Sequence, residues 1–274
     1  MNKPETPDHL LSIPDIQAAP DDRDIAIDQV GIKGLRYPLP FVDRDGVVQH
    51  TIASCNLYVA LPPDRKGTHM SRLVALLEGQ GAPDAAPLSV AGLRALLDDL
   101  VARLEAPGGR IELTFPFFVR KLAPVSGIAS LMDYDVRLGA VLEDGRFHST
   151  VTVAVPVTSL CPCSKEISEY GAHNQRSVIT IGVKARADSA VFVTDLVRIA
   201  EEEASAELYG ILKRVDEKYV TERAYDNPRF VEDLVRGVAA RLAGDPRFGG
   251  FVVEAENFES IHNHSAFARI ARGW

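Results

Sequence analysis

The sequence predicts an α+β protein built from two similar modules in tandem, each an antiparallel sheet with its helices gathered on one face. Three observations predict it. Strand-length runs come in pairs separated by short turn signals. Other stretches place apolar residues at three- and four-residue steps, the single buried stripe of a helix lying on a core. The order strand-strand-helix-helix-strand-strand can also be read twice, although the residues themselves do not visibly repeat. Segregated strands and helices fit helices on one side of an antiparallel sheet. The uncovered face and edges of such a sheet predict a homo-oligomer.

Taken in order, residues 1–28 read as an N-terminal arm, because Met1 to about Ile25 is Pro- and Asp-rich and aperiodic. The first module, 29–145, opens with extended runs Val30 to Tyr37 and Val47 to Leu61 around the turn-like Asp43-Arg44-Asp45-Gly46, a hairpin closed by Pro62-Pro63. The short apolar run Leu73 to Leu77 supplies a weak first helix. Ser89 can cap a stronger one, with Val90, Leu93, Leu97, Leu100, Val101 and Leu104 on one stripe and Pro107-Gly108-Gly109 as its stop. Arg110 to Val119 and Tyr134 to Leu142 read as strands joined by a loop around Pro124 to Gly127.

The second module, 146–274, follows the turn Glu143-Asp144-Gly145-Arg146. Its first strand is Phe147 to Val157 and its partner Val178 to Arg186. Thr194 can cap a helix from about Asp195 to Arg214. Asn227-Pro228 starts another, with Val231, Leu234, Val235, Val238 and Leu242 on one stripe and Gly244 past its end. Gly250 to Glu256 and Ala266 to Arg272 are the last strands.

Composition narrows the function classes. With 46% hydrophobic residues the chain can bury a core without staples. Three cysteines, an odd number, and an N-terminus without an apolar signal region predict reduced thiols and a cytoplasmic setting, and no run is long enough to span a bilayer. A net charge of −8 opposes a general nucleic-acid binder, whereas a small anionic substrate needs only a local cluster of cations.

The reactive side chains concentrate between the first two strands of the second module, in Cys161-Pro162-Cys163-Ser164-Lys165 through His173-Asn174-Gln175-Arg176-Ser177. Cys161-Pro162-Cys163 is too tight for a zinc-finger knuckle, but His173 twelve positions on turns a thiol pair into a possible thiolate and imidazole donor set, suited to a borderline-soft metal and not to magnesium. In the His262-Asn263-His264 pair, extended spacing puts both rings on one side, compatible with one ligand and one proton carrier. His9, His50 and His148 read as surface or hydrogen-bonded residues. The charged run Lys213 to Tyr225 reads as a solvated interhelix turn from which Asp216, Glu217 or Glu222 could complete a Cys/His/His/carboxylate set.

With those residues assembled, the chain resembles the type IB GTP cyclohydrolases of the tunnelling-fold superfamily. The resemblance rests on five blocks in order: Gly67-Thr68-His69-Met70-Ser71-Arg72, Cys161 to Ser177, Asp216 to Tyr225, Phe230 to Val235, and Asn257 to His264. It implies tunnelling-fold modules of ββααββ order assembling into an oligomeric barrel, with homotetramers whose sites lie at subunit interfaces. It implies metal ligands at Cys161, His173, Glu217 and His262, a purine-anchoring carboxylate at Glu232 and a proton carrier at His264. His69 joins the substrate contacts, and Lys66, Arg72, Lys165 and Arg176 are candidates to hold the triphosphate. The implied reaction converts GTP and water to 7,8-dihydroneopterin triphosphate and formate, the first step of tetrahydrofolate biosynthesis. The implied cofactor is a divalent ion, Zn²⁺ or Mn²⁺, with Fe²⁺ compatible by availability. A nitrile reductase of the same superfamily, which would use Cys161 as the nucleophile of a covalent thioimide and consume NADPH, is the competing reading. A non-catalytic metal-binding or assembly protein is the third.

Overall fold

A computed structural model describes residues 15–274 other than 18, 83 and 188. Residues 1–14 of the expected arm, with His9, lie outside the described residues. The elements are β1 (Ile27–Val42), β2 (Val48–Leu61), α1 (Met70–Gln80), α2 (Leu93–Leu104), β3 (Gly109–Leu122) and β4 (Ala129–Glu143). They continue with β5 (Arg146–Leu160), α3 (Pro162–Ile167), β6 (Asn174–Ala185), α4 (Val193–Glu203), β7 (Ala206–Glu207), α5 (Arg214–Asp226), α6 (Val231–Ala243), β8 (Phe248–Asn257) and β9 (Ala266–Arg272).

The strands join one continuous antiparallel sheet in the order β1-β2-β3-β4-β5-β6-β8-β9, with β7 paired to β5 off that path. In the β4–β5 hairpin Asp144 and Gly145 both take positive φ, the geometry of a tight turn compatible with strand twist. Alternate residues of the central strands, such as Ala53, Cys55, Leu57 and Val59 or Val151, Val153, Val155 and Val157, are buried. Helices α1, α2, α4 and α6 pack on the sheet. Pro38 and Pro40 are tolerated in β1 because it is an edge strand. Cys55 lies in the core, and burial pushes its thiol up to about 11, which makes it a packing residue and not a reactive one.

Three helix boundaries differ from the sequence reading. Ser89 does not cap α2 directly: Leu88 first exchanges backbone hydrogen bonds with Pro40 and Val42 on the free side of β1, and the Ser89 hydroxyl accepts from Gly92 N–H at 3.1 Å, so the helix begins at Leu93. Thr194 does not cap α4. The cap comes from Asp43, 150 residues away, whose carboxylate accepts from Val193 N–H, Thr194 N–H and the Thr194 hydroxyl at 3.0, 3.0 and 2.7 Å. The expected helix 195–214 stops at Glu203. Ser205 is buried and its hydroxyl accepts from Leu160 N–H at 3.0 Å, while β7 fills the place beside β5 where β4 diverges.

The charged run after it is then no interhelix turn but helix α5, organised by Asp216. That carboxylate is fully buried and accepts from Val125 N–H, Ser126 N–H, the Ser126 hydroxyl and Lys213 N–H at 2.6–2.8 Å. Burial by itself would raise its pKa, but these donors outweigh it and hold the carboxyl well below the usual range. A carboxyl depressed in the folded state stabilises above its unfolded value, near 3.8, and that contribution fades as pH falls toward the folded value. Asp216→Ala is therefore expected to lower the melting temperature near neutral pH by clearly more than Glu222→Ala on the exposed side of the same helix, with the gap from wild type narrowing in acid. Equal melting of the two variants would show that Asp216 does not anchor α5.

Candidate active site

The strand ends Leu160, Asn174 and Asn257 lie together, because β5 pairs with β6 and β6 with β8 in register. The β5–β6 connection therefore meets the β8–β9 loop and the start of α6. Cys161 follows β5 directly and is the N-cap residue of α3. Its sulfur accepts from Ser164 N–H at 3.4 Å, and its own N–H donates to the His173 carbonyl at 3.1 Å. The Ser164 hydroxyl donates to the Cys161 carbonyl at 3.1 Å and accepts from His173 N–H at 3.2 Å, which ties the backbones of Cys161 and His173 into one closed loop. Cys163 is exposed.

The His173 ring is oriented from behind. Its Nδ1 lies 3.1 Å from both Gln175 Oε1 and Ser260 Oγ, Gln175 Nε2 donates to Ser159 Oγ at 3.1 Å, and Ser159 Oγ meets Ser177 Oγ at 2.7 Å. Nδ1 is thus engaged by an amide and a hydroxyl, and Nε2 is the ring nitrogen turned away from these partners. This is the outer-shell arrangement that presents an imidazole to a cation. His262 and His264 stack at 5.3 Å between ring centroids, 11° from parallel, on the exposed β8–β9 loop, so the two rings do share one side.

Cys161, Gln175, Arg229, Phe230, Val231, Glu232, Asn257, Glu259 and Ala266 line one cavity of about 140 Å³. Thus the candidate thiol and the candidate purine-anchoring acid, 71 positions apart, face the same space. Glu232 stands exposed in the first turn of α6, where a carboxylate is compatible with the helix dipole.

The other candidates do not line that cavity. Glu217 is exposed in the first turn of α5. Lys165 donates to the Tyr225 carbonyl and sits 4.3 Å from that ring's centroid, which fastens α3 to the far end of α5. Lys66, His69 and Arg72 follow β2, whose end at Leu61 is the end of the strands opposite Leu160. His69 Nε2 pairs with Asp15 at 2.9 Å, and Arg72 donates to the Arg103 carbonyl at 3.1 Å. Arg176 points to the other face of β6 from Gln175 and lines a separate cavity of about 530 Å³ with Asp133, Asp135 and Tyr209. Among the described residues, no three His, Cys, Asp or Glu side chains gather closely enough to hold a metal ion.

Ser159, Ser177, Asn257 and Arg229 received no role from the sequence, Ser177 and Asn257 entering only as the ends of matched blocks. The first three carried a usable signal: each is a polar residue on the core-facing parity of a strand, in line with Val157, Ile179 and Ala255. Arg229 carried none.

The profile described as type I GTP cyclohydrolase folE2 matches residues 13–268. The chain is 54% identical over 263 residues to a protein named GTP cyclohydrolase FolE2 from Thiobacillus denitrificans, covering 96% of each. It is 58% identical over 258 residues to one named GTP cyclohydrolase FolE2 2 from Cupriavidus metallidurans, covering 94% of each, and 55% identical over 273 residues to GTP cyclohydrolase FolE2 1 from Dechloromonas aromatica, covering 98% of each. Among solved structures, a uricase from Arthrobacter globiformis is similar with a TM-score of 0.49 at 8% identity, over 89% of this chain and 92% of that one.

Proposed function

We propose, because this chain belongs to the type I GTP cyclohydrolase FolE2 family, that it converts GTP and water to 7,8-dihydroneopterin triphosphate and formate in tetrahydrofolate biosynthesis. The observation that carries the reading onto particular residues is the cavity shared by Cys161 and Glu232, with His173 tied to Cys161 through its backbone.

Glu232 accepts from ring N–H groups of the purine in a charge-assisted pair, which sets the ring's orientation. Gln175 and Ser260 engage His173 at Nδ1, which leaves Nε2 turned away from them. His264, stacked on His262, carries protons to the ring nitrogens released as the imidazole opens, a task suited to an imidazole near neutral pH.

A thiolate, two imidazoles and a carboxylate fit Zn²⁺ as a donor set, availability can place Mn²⁺ or Fe²⁺ there, and we assign the metal to Cys161, His173, Glu217 and His262. The chemistry such a bound cation supplies is hydroxide at neutral pH, since coordination lowers the pKa of water from 15.7 to about 7. The donors are not gathered in the single chain, and the loop bearing Lys66, His69 and Arg72 lies at the other end of the strands. Both points support a homotetramer of two-module subunits, 29–145 and 146–274, with the site completed at a subunit interface. Exposed Ile52, Phe118, Leu122 and Leu131, each next in sequence to a core-facing position, also favour burial by another copy. In that assembly Lys66, Arg72, Lys165 and Arg176 are the candidates to bind the triphosphate, with His69 beside them. No helix among the described residues is long and apolar enough to cross a membrane, and the three free thiols fit a cytoplasmic setting.

Purified protein supplied with GTP and Zn²⁺ or Mn²⁺ is expected to generate pterin fluorescence with stoichiometric formate, to stop on chelation and to resume when metal returns. Metal-replete protein that releases neither product would overturn the assignment, and NADPH oxidation with a nitrile substrate would favour the reductase instead.

A further inference from the structure

Helix α5 carries Glu217, yet almost no apolar burial holds it in place. Of its 13 residues only Asp216 and Ala224 are buried. Helices in folded proteins owe most of their stability to an apolar face packed on the core, so the position of α5 falls to polar contacts at its two ends. At the C-terminal end the Arg223 guanidinium lies 3.0 Å from the Glu207 carboxylate, Lys165 donates to the Tyr225 carbonyl, and Asn227 Nδ2 donates to the Ala204 carbonyl at 2.8 Å. At the N-terminal end, beside Glu217, Asp216 meets the β3–β4 loop.

Asp216 is fully buried. A carboxylate offers about four acceptor sites, and four donors occupy them here. Val125 N–H and Ser126 N–H donate to Oδ1, and the Ser126 hydroxyl and Lys213 N–H donate to Oδ2, all at 2.6–2.8 Å. Those bonds leave Asp216 no site for a cation, which separates it from Glu217 and Glu222, the other acids of the run. The loop that supplies three of the donors is itself fixed. Ala123 is buried and its N–H donates to the Ile128 carbonyl at 2.9 Å, while Gly127, at a left-handed φ of 68°, donates to the Ala123 carbonyl at 3.0 Å. A closed turn from the first half of the chain thus grips the first turn of a helix in the second half.

Successive residues of a helix are rotated by about 100° around its axis. With the Asp216 side chain pinned inward, Glu217 is turned about a quarter-turn from it and stands exposed. We propose that Asp216, held by Ser126, is a positioning residue for the metal site: it fixes the direction in which α5 presents the Glu217 carboxylate. The inference rests on the reading of Glu217 as a metal ligand and adds the group that aims it. A functional group must be held within about 0.5 Å of its productive place, so freeing the first turn of α5 should weaken metal binding without removing any ligand.

The test is the Zn²⁺ affinity of the full chain after its metal has been stripped, read by competition with a chromophoric chelator below the melting point of every variant. Asp216→Asn keeps the side chain's shape but sets an amide NH₂ against the donors. It should bind Zn²⁺ about tenfold more weakly than wild type, the low end of the loss seen when an outer-shell partner of a metal ligand is removed. Ser126→Ala, 90 positions away on an exposed loop, removes the 2.6 Å hydroxyl bond and should lose about threefold, so the proposal can be read even if Asp216→Asn does not fold. The decisive comparison is a double-mutant cycle. In a Glu217→Ala background no carboxylate is left to aim, and either substitution should change Zn²⁺ affinity by less than about twofold. A general loosening of the fold would instead weaken it alike in both backgrounds. Equal losses in the two backgrounds, or wild-type affinity in Asp216→Asn and Ser126→Ala, overturn the proposal. A Glu217→Ala single variant that binds Zn²⁺ as tightly as wild type overturns the ligand assignment itself, and the proposal with it, so the two failures are distinct.

Discussion

Cys161→Ala is expected to empty the metal site and abolish measurable turnover, whereas Cys163→Ala should keep both within a few-fold of wild type. The two thiols are two residues apart, yet their settings differ. Cys161 lines the cavity, receives the Ser164 N–H and is joined to His173 by a backbone hydrogen bond, while Cys163 is exposed and lines no part of that space. Losing an outer-shell partner of a bound metal typically costs about 10–100-fold in affinity or activity, and losing a ligand should lie at or beyond the upper end of that range. Metal content per subunit, measured alongside pterin formation, separates the variants. If Cys163→Ala strips the metal and Cys161→Ala keeps it, the thiol has been misassigned.

Glu232→Ala should retain the metal and lose GTP binding. Each hydrogen bond to a charged acceptor is worth about 1.5–3 kcal/mol, so removing the carboxylate should weaken GTP by about ten- to a hundredfold if it holds one ring N–H group and by about a hundred- to ten-thousandfold if it holds two. Stability should barely change, because Glu232 is exposed and contributes only a first-turn dipole interaction, worth about 0.3–1 kcal/mol. Glu232→Gln, which keeps one acceptor, should fall between. GTP affinity unaltered in Glu232→Ala would remove this residue from the purine subsite. The readout differs in kind from that of Cys161→Ala: one variant loses the nucleotide and keeps the ion, the other loses the ion.

Much of the fold was legible because its signals are local. The alternation in Val47 to Leu61 and Phe147 to Val157 marked strands, and the stripe from Val231 to Leu242 marked α6, since pleat and helix repeat every two and 3.6 residues whatever the rest of the chain does. The failures came where a distant group took over a local role. Thr194 has the chemistry of a cap, but Asp43 supplies the carboxylate at α4. The run 213–225 lacks an apolar stripe and reads as a turn, yet Asp216 collects donors from Val125 and Ser126, some 90 residues earlier, and fixes the first turn of a helix there.

The candidate site divides the same way. Clustering in sequence marked Cys161 and His173, whereas His262 and His264 stack in a bent loop and not in the extended segment that their spacing assumed. By itself, then, the sequence determined the paired strands, the amphipathic helices and the kinds of reactive group available, because hydrophobic periodicity and residue chemistry act within a few positions. Only the tertiary structure decided that Cys161, Arg229, Glu232 and Asn257 line one cavity, that Arg176 turns away from it onto the other face of β6, and that Lys66, His69 and Arg72 stand at the far end of the strands. Those placements follow from strand register and from which face each side chain occupies, and a register is set by the packing of the whole sheet against its helices.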